Sequence, residues 1–301
     1  LTLVPNGMLR LAVLRLESRP PAPDELRAMA RFLEAGLDEG AVGFSAGLEY
    51  ALERETTPAE LEALCGVTAR YGGLYAPHLR NREVYALESI EEALATMRAT
   101  GVRTHIPHLT PRRGGPADAD ERAIALVERG LDEGLDLSFD MHTRLHGLTN
   151  LSAALPPWAL AGGPAAVRAR LADPAVRRRI AEYESLITSF ALGGWERVSL
   201  LTAKERTDLV GRSFAEIAAV AGTSPFDAVL DVLLAEAGDV HYPLCLCESY
   251  TEEQLARAYA HPAGMVASDA TALAVDGPLA GKVFHGAFTW ASWFLRRMVR
   301  E

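Results

Sequence analysis

The sequence predicts an α/β fold closed into a (β/α) barrel, and three observations predict it. A helix–glycine–strand unit repeats four times through the first half. Its helices stop at glycines 40, 72, 101 and 134, in steps of 32, 29 and 33 residues. Polar side chains able to bind metal recur at the ends of the strands, the edge where a barrel places its chemistry. Helices alternating with short apolar strands mean βαβ units and a parallel sheet. Four near-equal units favour a closed barrel over an open, doubly wound sheet. No GxGxxG or Walker loop is present, which weakens a nucleotide-binding reading.

The first helix, Asp24 to Asp38, carries Leu26, Met29, Ala30, Leu33 and Leu37 at helical spacing. It ends at Gly40 and leads into AVGFSAG. The next opens with Thr57, Pro58 and Glu60, which read as an N-cap, a proline at the first helical position and a capping-box glutamate. It ends at Gly72–Gly73, before LYAPHLR. A third helix, about Glu83 to Ala99, ends at Gly101, before VRTHIPHL. A fourth, about Asp118 to Asp132, ends at Gly134, before LDLSFDMHTR. Glycine closes each helix because it takes the left-handed conformation without steric cost.

The second half is less regular. Pro156–Pro157–Trp158 and Gly162–Gly163–Pro164 mark an excursion. An arginine-rich helix is expected from about Ala166 to Tyr183. RVSLL from Arg197, VHYPLCLC from Val240 and GMVASD from Gly264 read as strands, and Ser224–Pro225 opens a helix. No linker rich in Gly and Ser is visible, so one domain is expected over 1–301.

Composition narrows the function classes. The 49% hydrophobic and 23% charged content is that of a globular protein, and 301 residues can bury a full core. A net charge of −10 argues against nucleic acid or an anionic membrane as partner, since both need a basic face. No run of about 18 apolar residues predicts a membrane span, and no signal peptide is visible. Cys65, Cys245 and Cys247 fit no CxxC pattern, so a reducing cytoplasm is expected, with all three packed as apolar side chains. Lys204 and Lys282 are the only lysines among 30 basic residues. That bias reads as bacterial, and it leaves few lysines to serve as nucleophile or metal bridge.

The strand ends carry the chemistry. His78 ends LYAPH, His108 ends THIPH, Asp140 and His142 close LSFDMH, and Asp269 ends MVASD. Imidazole nitrogen and carboxylate oxygen are ordinary zinc ligands. Zinc lowers the pKa of bound water to about 7, and an adjacent aspartate can take its proton and return it to a leaving amine. Strand alternation puts Ile106 and His108 on one face and turns His105 toward the helix layer. His142 shares a face with Asp140 and could reach the pocket. His146, His241 and His261 read as structural, while His285, in FHGAF, could line the site.

These residues resemble the D-aminoacylase (N-acyl-D-amino-acid deacylase) branch of the amidohydrolase superfamily. The resemblance rests on six pieces in order: GAVGFSAGLEY, GGLYAPHLRN, THIPHL, FDMHTR, LPPWALAGG and VASD. It implies a (β/α)8 TIM-type barrel of the metal-dependent hydrolase kind, holding one or two Zn2+ ions. It assigns His78 and His108 as zinc ligands and Asp269 as catalytic aspartate and ligand. It places Tyr50 against the substrate and Arg80 in the same loop as His78. The family's HxH or HxD motif on the first strand, its cysteine ligand on the second and its β-sandwich are not in this sequence. The chain is therefore expected to begin at the third barrel strand. The lysine of the family's SHLK is Thr110 here, YPY reads His142–Thr143–Arg144, and HPR reads Gly281–Lys282–Val283. Arg144 or Lys282 could replace the lost carboxylate-binding residues.

The expected function is zinc-dependent hydrolysis of a C–N amide bond in an N-acyl amino acid or similar small amide. Two alternatives stand beside it. One is a cyclic-amide hydrolase or deaminase of the same superfamily. The other is a non-catalytic barrel used for binding or assembly, which the substituted motif positions motivate.

Overall fold

Short apolar segments alternating with glycine-stopped helices build a parallel sheet, and the computed structural model shows it. Residues 1–15, 17, 19–50, 52–192, 194–270, 276 and 286–300 are described. Among them the strands are β1 Val4–Pro5, β2 Gly43–Gly47, β3 Leu74–His78, β4 Arg103–Ile106, β5 Leu137–His142, β6 His146–Asn150, β7 Val198–Thr202, β8 Leu244–Glu248 and β9 Gly264–Ala267. The contacts divide the chain into two compact units. One comprises Leu1–Pro111, Gly115–Arg144 and Thr251–Glu301, and the other Arg112–Gly114 and Leu145–Tyr250.

The first unit holds a six-stranded sheet in the order β1-β2-β3-β4-β5-β9, with every neighbour parallel. The predicted helices appear at Pro23–Asp38, Pro58–Arg70, Ala86–Thr100 and Ala119–Asp132. The four stop glycines take φ of 102°, 63°, 69° and 84°, as a helix stop requires. Phe44 and Tyr75 stack at 5.7 Å between adjacent strands. Met29, Leu33, Leu61, Leu64 and Cys65 pack in the same fully buried cluster. Each such side chain contributes roughly 1.5–3 kcal/mol by leaving water. Gly43 is required by close approach, since a Cβ there would lie 2.0 Å from the Leu74 carbonyl oxygen. Among the described residues these six strands form one parallel α/β sheet.

The second unit is built differently. RVSLL and the end of VHYPLCLC do form strands, but β7 and β8 pair antiparallel, and β6 pairs antiparallel with β8. They therefore lie in a separate, three-stranded antiparallel sheet. GMVA does join the parallel sheet, as β9 against β5. Leu151, Phe190, Val198, Leu200, Phe214, Val229, Leu233, Cys245 and Cys247 form this unit's core. The helix expected over 166–183 is two helices, Gly163–Ala172 and Pro174–Ala181. Pro174 cannot donate into a continuing helix, and Asp173, in extended backbone, instead caps the second helix by accepting from the Ala175 N–H at 2.7 Å. No single helix among the described residues is long and apolar enough to cross a membrane.

Candidate active site

Parallel register brings the strand ends to one edge. Gly47 lies opposite His78, and His142 opposite Ala267. At that edge His78 Nδ1 and His108 Nε2 are 3.1 Å apart, with the rings edge to face at 4.6 Å. The other nitrogen of His78, Nε2, meets Glu49 Oε2 at 2.6 Å. The half-exposed Tyr50 ring lies 4.9 Å from the His78 ring. Two predicted ligands and one predicted substrate contact are thus brought together. Glu49 was not anticipated; its only signal is an acidic residue in the turn after β2, and such residues are usually solvated.

His108 reaches this place by leaving its strand. β4 ends at Ile106, and His108 takes φ of 40°, a left-handed conformation rare for a residue with a side chain. Such a conformation costs energy and persists only where neighbours hold it. Here the His108 N–H donates to Asp140 Oδ1 at 2.7 Å, and the Arg82 guanidinium donates to the His108 carbonyl. The Leu109 N–H donates to the Asp140 carbonyl at 2.9 Å. The parity argument for His105 is corrected by the same geometry. His105 does not turn into the helix layer: its Nε2 meets Asp140 Oδ2 at 2.8 Å and its Nδ1 meets Ser138 Oγ at 2.9 Å. Ile106 is fully buried. Alternation held within β4, but it cannot be carried past the strand end to His108.

Asp269 stands on the same edge, also at positive φ, 44°. With Pro107, His108, Asp140, Ala267, Ser268 and Ala270 it lines an open cavity of about 450 Å3. Arg144 donates to Asp269 Oδ2 at 2.8 Å and to its main-chain carbonyl at 3.1 Å. Other expected residues lie elsewhere. His142 is buried, its carbonyl accepts from the Tyr259 hydroxyl at 2.8 Å, and it does not line this cavity. Arg80 donates to Glu92 and to the carbonyls of Arg54 and Thr56, so its guanidinium ties a helix to the 54–56 turn. His285 and Lys282 lie outside the described residues.

The turn that carries Glu49 and Tyr50 is anchored from below. Arg10, fully buried, donates to both oxygens of the buried Glu60 at 2.9 and 2.7 Å and to the Leu52 carbonyl at 2.7 Å. The Glu60 carboxylate therefore does not close the predicted capping box; Thr57 alone caps, accepting from the Glu60 N–H at 3.2 Å. Glu53 accepts from the Gly47 N–H at 2.7 Å. Burial pushes the Glu53 carboxyl above its ordinary range, and the donors around it pull it only part of the way back.

No protein-family model matches the chain. Among curated proteins, the N-acyl-D-glutamate deacylase of Alcaligenes xylosoxydans xylosoxydans is 36% identical over 143 residues, 46% of this chain and 29% of that protein. The D-aminoacylase of the same organism is 26% identical over 149 residues, 50% of this chain and 31% of that protein. The crystal structure of N-acyl-D-glutamate deacylase from Bordetella bronchiseptica, complexed with zinc and a phosphonate inhibitor, superposes with a TM-score of 0.64 at 24% identity. It covers 87% of this chain and 46% of that one. A D-aminoacylase crystal structure gives the same TM-score at 23% identity, over 88% and 46%. The chain resembles N-acyl-D-amino-acid deacylases in sequence and has the fold of D-aminoacylase. It spans less than a third of the length of these curated relatives and under half of these solved chains.

Proposed function

We propose that this chain carries part of the active site of a zinc-dependent amidohydrolase that cleaves the C–N amide bond of an N-acyl amino acid or similar small amide. The observation that carries the reading is the convergence of His78, His108 and Asp269 at the C-terminal edge of one parallel sheet. The His78–His108 pair fits zinc: two ring nitrogens on one tetrahedral ion, each at ~2.0–2.1 Å, stand ~3.3 Å apart, and these stand at 3.1 Å. Among the described residues no group of three or more His, Cys, Asp or Glu side chains is placed to hold a metal. The pair accordingly stands for two ligands of the shell.

Bound zinc would supply an activated water and polarise the scissile carbonyl. Asp269 would take a proton from the attacking water and pass it to the leaving nitrogen, as general base and then general acid. Arg144 orients the Asp269 carboxylate through Oδ2 and the main-chain carbonyl. Its cationic head beside the cavity also suits an anionic substrate, in keeping with relatives named for N-acyl-D-glutamate and N-acyl-D-aspartate. Tyr50, exposed beside His78, offers a ring face and a hydroxyl to the substrate.

The test is a substrate panel of N-acyl-D- and L-amino acids, cyclic imides and aminated bases, with zinc supplied. Release of amino acid from an N-acyl substrate, lost in Asp269→Asn, supports the reading. Turnover confined to cyclic imides or aminated bases transfers the site to those chemistries, and no turnover of any class by the zinc-loaded protein overturns it.

A further inference from the structure

Three consecutive residues address His78. The Leu48 N–H donates to the His78 carbonyl at 3.1 Å. Glu49 Oε2 meets His78 Nε2 at 2.6 Å, and the Tyr50 ring lies 4.9 Å from the imidazole. The turn is itself fastened, by Glu53 to Gly47 and by Arg10 to Leu52. The Glu49 side chain is 8% exposed and that of His78 16%, so water competes weakly for the contact.

We infer that Glu49 is a positioning residue that fixes which nitrogen His78 presents at the site. A carboxylate oxygen accepts, so the nitrogen it holds, Nε2, carries the imidazole hydrogen. The other nitrogen, Nδ1, then offers its lone pair, and it is this nitrogen that faces His108. A histidine ligand whose remote N–H is held by a carboxylate is fixed in both tautomer and ring orientation, and its basicity rises. His108 is held through its peptide by Asp140 and Arg82; His78 is held through its ring by Glu49. The inference about the tautomer stands on the hydrogen-bond geometry alone, while its consequence for metal affinity rests on the function proposed above.

The experiment reads the two parts separately. Histidine-selective 15N labelling of the metal-free protein, with long-range 1H–15N correlation and the signals assigned through His78→Gln, reports the tautomer of His78. The Nε2–H form is expected in the wild type. It should persist in Glu49→Gln, whose amide oxygen also accepts, and give way to a mixture in Glu49→Ala. Zn2+ affinity should fall about 10–100-fold in Glu49→Ala and recover in Glu49→Gln. An Nδ1–H form in the wild type overturns the inference without any variant, and so does an unchanged tautomer in Glu49→Ala. A wild type with the expected tautomer but no Zn2+ binding overturns the zinc reading and leaves the inference standing.

Discussion

The two sides of the candidate site are held in different ways. On the histidine side, His78 and His108 are largely buried, and each is gripped by an acidic residue within 2.7 Å, Glu49 on the ring of one and Asp140 on the peptide of the other. The turn that carries Glu49 is fastened by a buried ion pair and a buried glutamate. On the carboxylate side, Asp269 follows a four-residue strand, its side chain is 44% exposed, and Arg144 pairs with it. The two proposed ligands are held at several points, whereas the proposed proton carrier is accessible. The difference fits the division of labour between a ligand, which gains from preorganisation, and a general acid–base, which must reach substrate and solvent.

The comparison can be broken hardest at the foundation of the histidine side. Arg10→Ala leaves Glu60 buried without its cation, a change that costs about 3–5 kcal/mol. Urea unfolding should show that loss, and a shift under 1 kcal/mol would mean that the pair does not anchor the turn. On the other side, Asp269→Asn should leave urea unfolding unchanged while turnover falls at least ~100-fold. Near-normal turnover would remove Asp269 from the chemistry. Asp140→Ala withdraws the acceptor from the His108 N–H, and an unmade buried hydrogen bond costs about 1–3 kcal/mol. Asp140→Asn, which can still accept through its amide oxygen, should lose less. Equal losses in the two variants would show that charge, not geometry, is what Asp140 supplies.

The smallest effect is one of pH. Because burial raises the Glu53 carboxyl in the folded chain, the folded state favours its protonated form. Stability from this group is full below the unfolded value near 4.5 and is lost as pH rises through the folded value. Glu53→Gln has no such slope. The urea midpoint of the wild type relative to Glu53→Gln should therefore be highest near pH 4.5 and decline toward neutrality. A relative midpoint that rises with pH would reverse the assignment.

What the sequence disclosed follows the same division. The edge positions of His78 and His108 were legible because stop glycines mark where their strands start, and that of Asp269 because it closes the apolar run GMVASD. Residues that act on the site from outside a strand were not. Glu49 lies in a turn with no periodicity. The grip of Asp140 on His108 depends on a chain reversal at φ 40° that alternation cannot anticipate. Arg80 was placed in the right loop, but its guanidinium turns to Glu92. The antiparallel unit escaped because β6, HGLTN, lacks the apolar run of a buried strand. RVSLL and VHYPLCLC look alike whether their neighbours run parallel or antiparallel, since pairing direction leaves little trace in one strand's composition.

The most direct test of the central claim is the zinc content of the folded protein, prepared without chelators and measured by elemental analysis beside the His78→Ala, His108→Ala double variant. About one or two zinc ions per chain in the wild type, lost in the folded double variant, is the predicted result. A folded wild type that takes up no zinc, or a double variant that keeps it, would contradict the account.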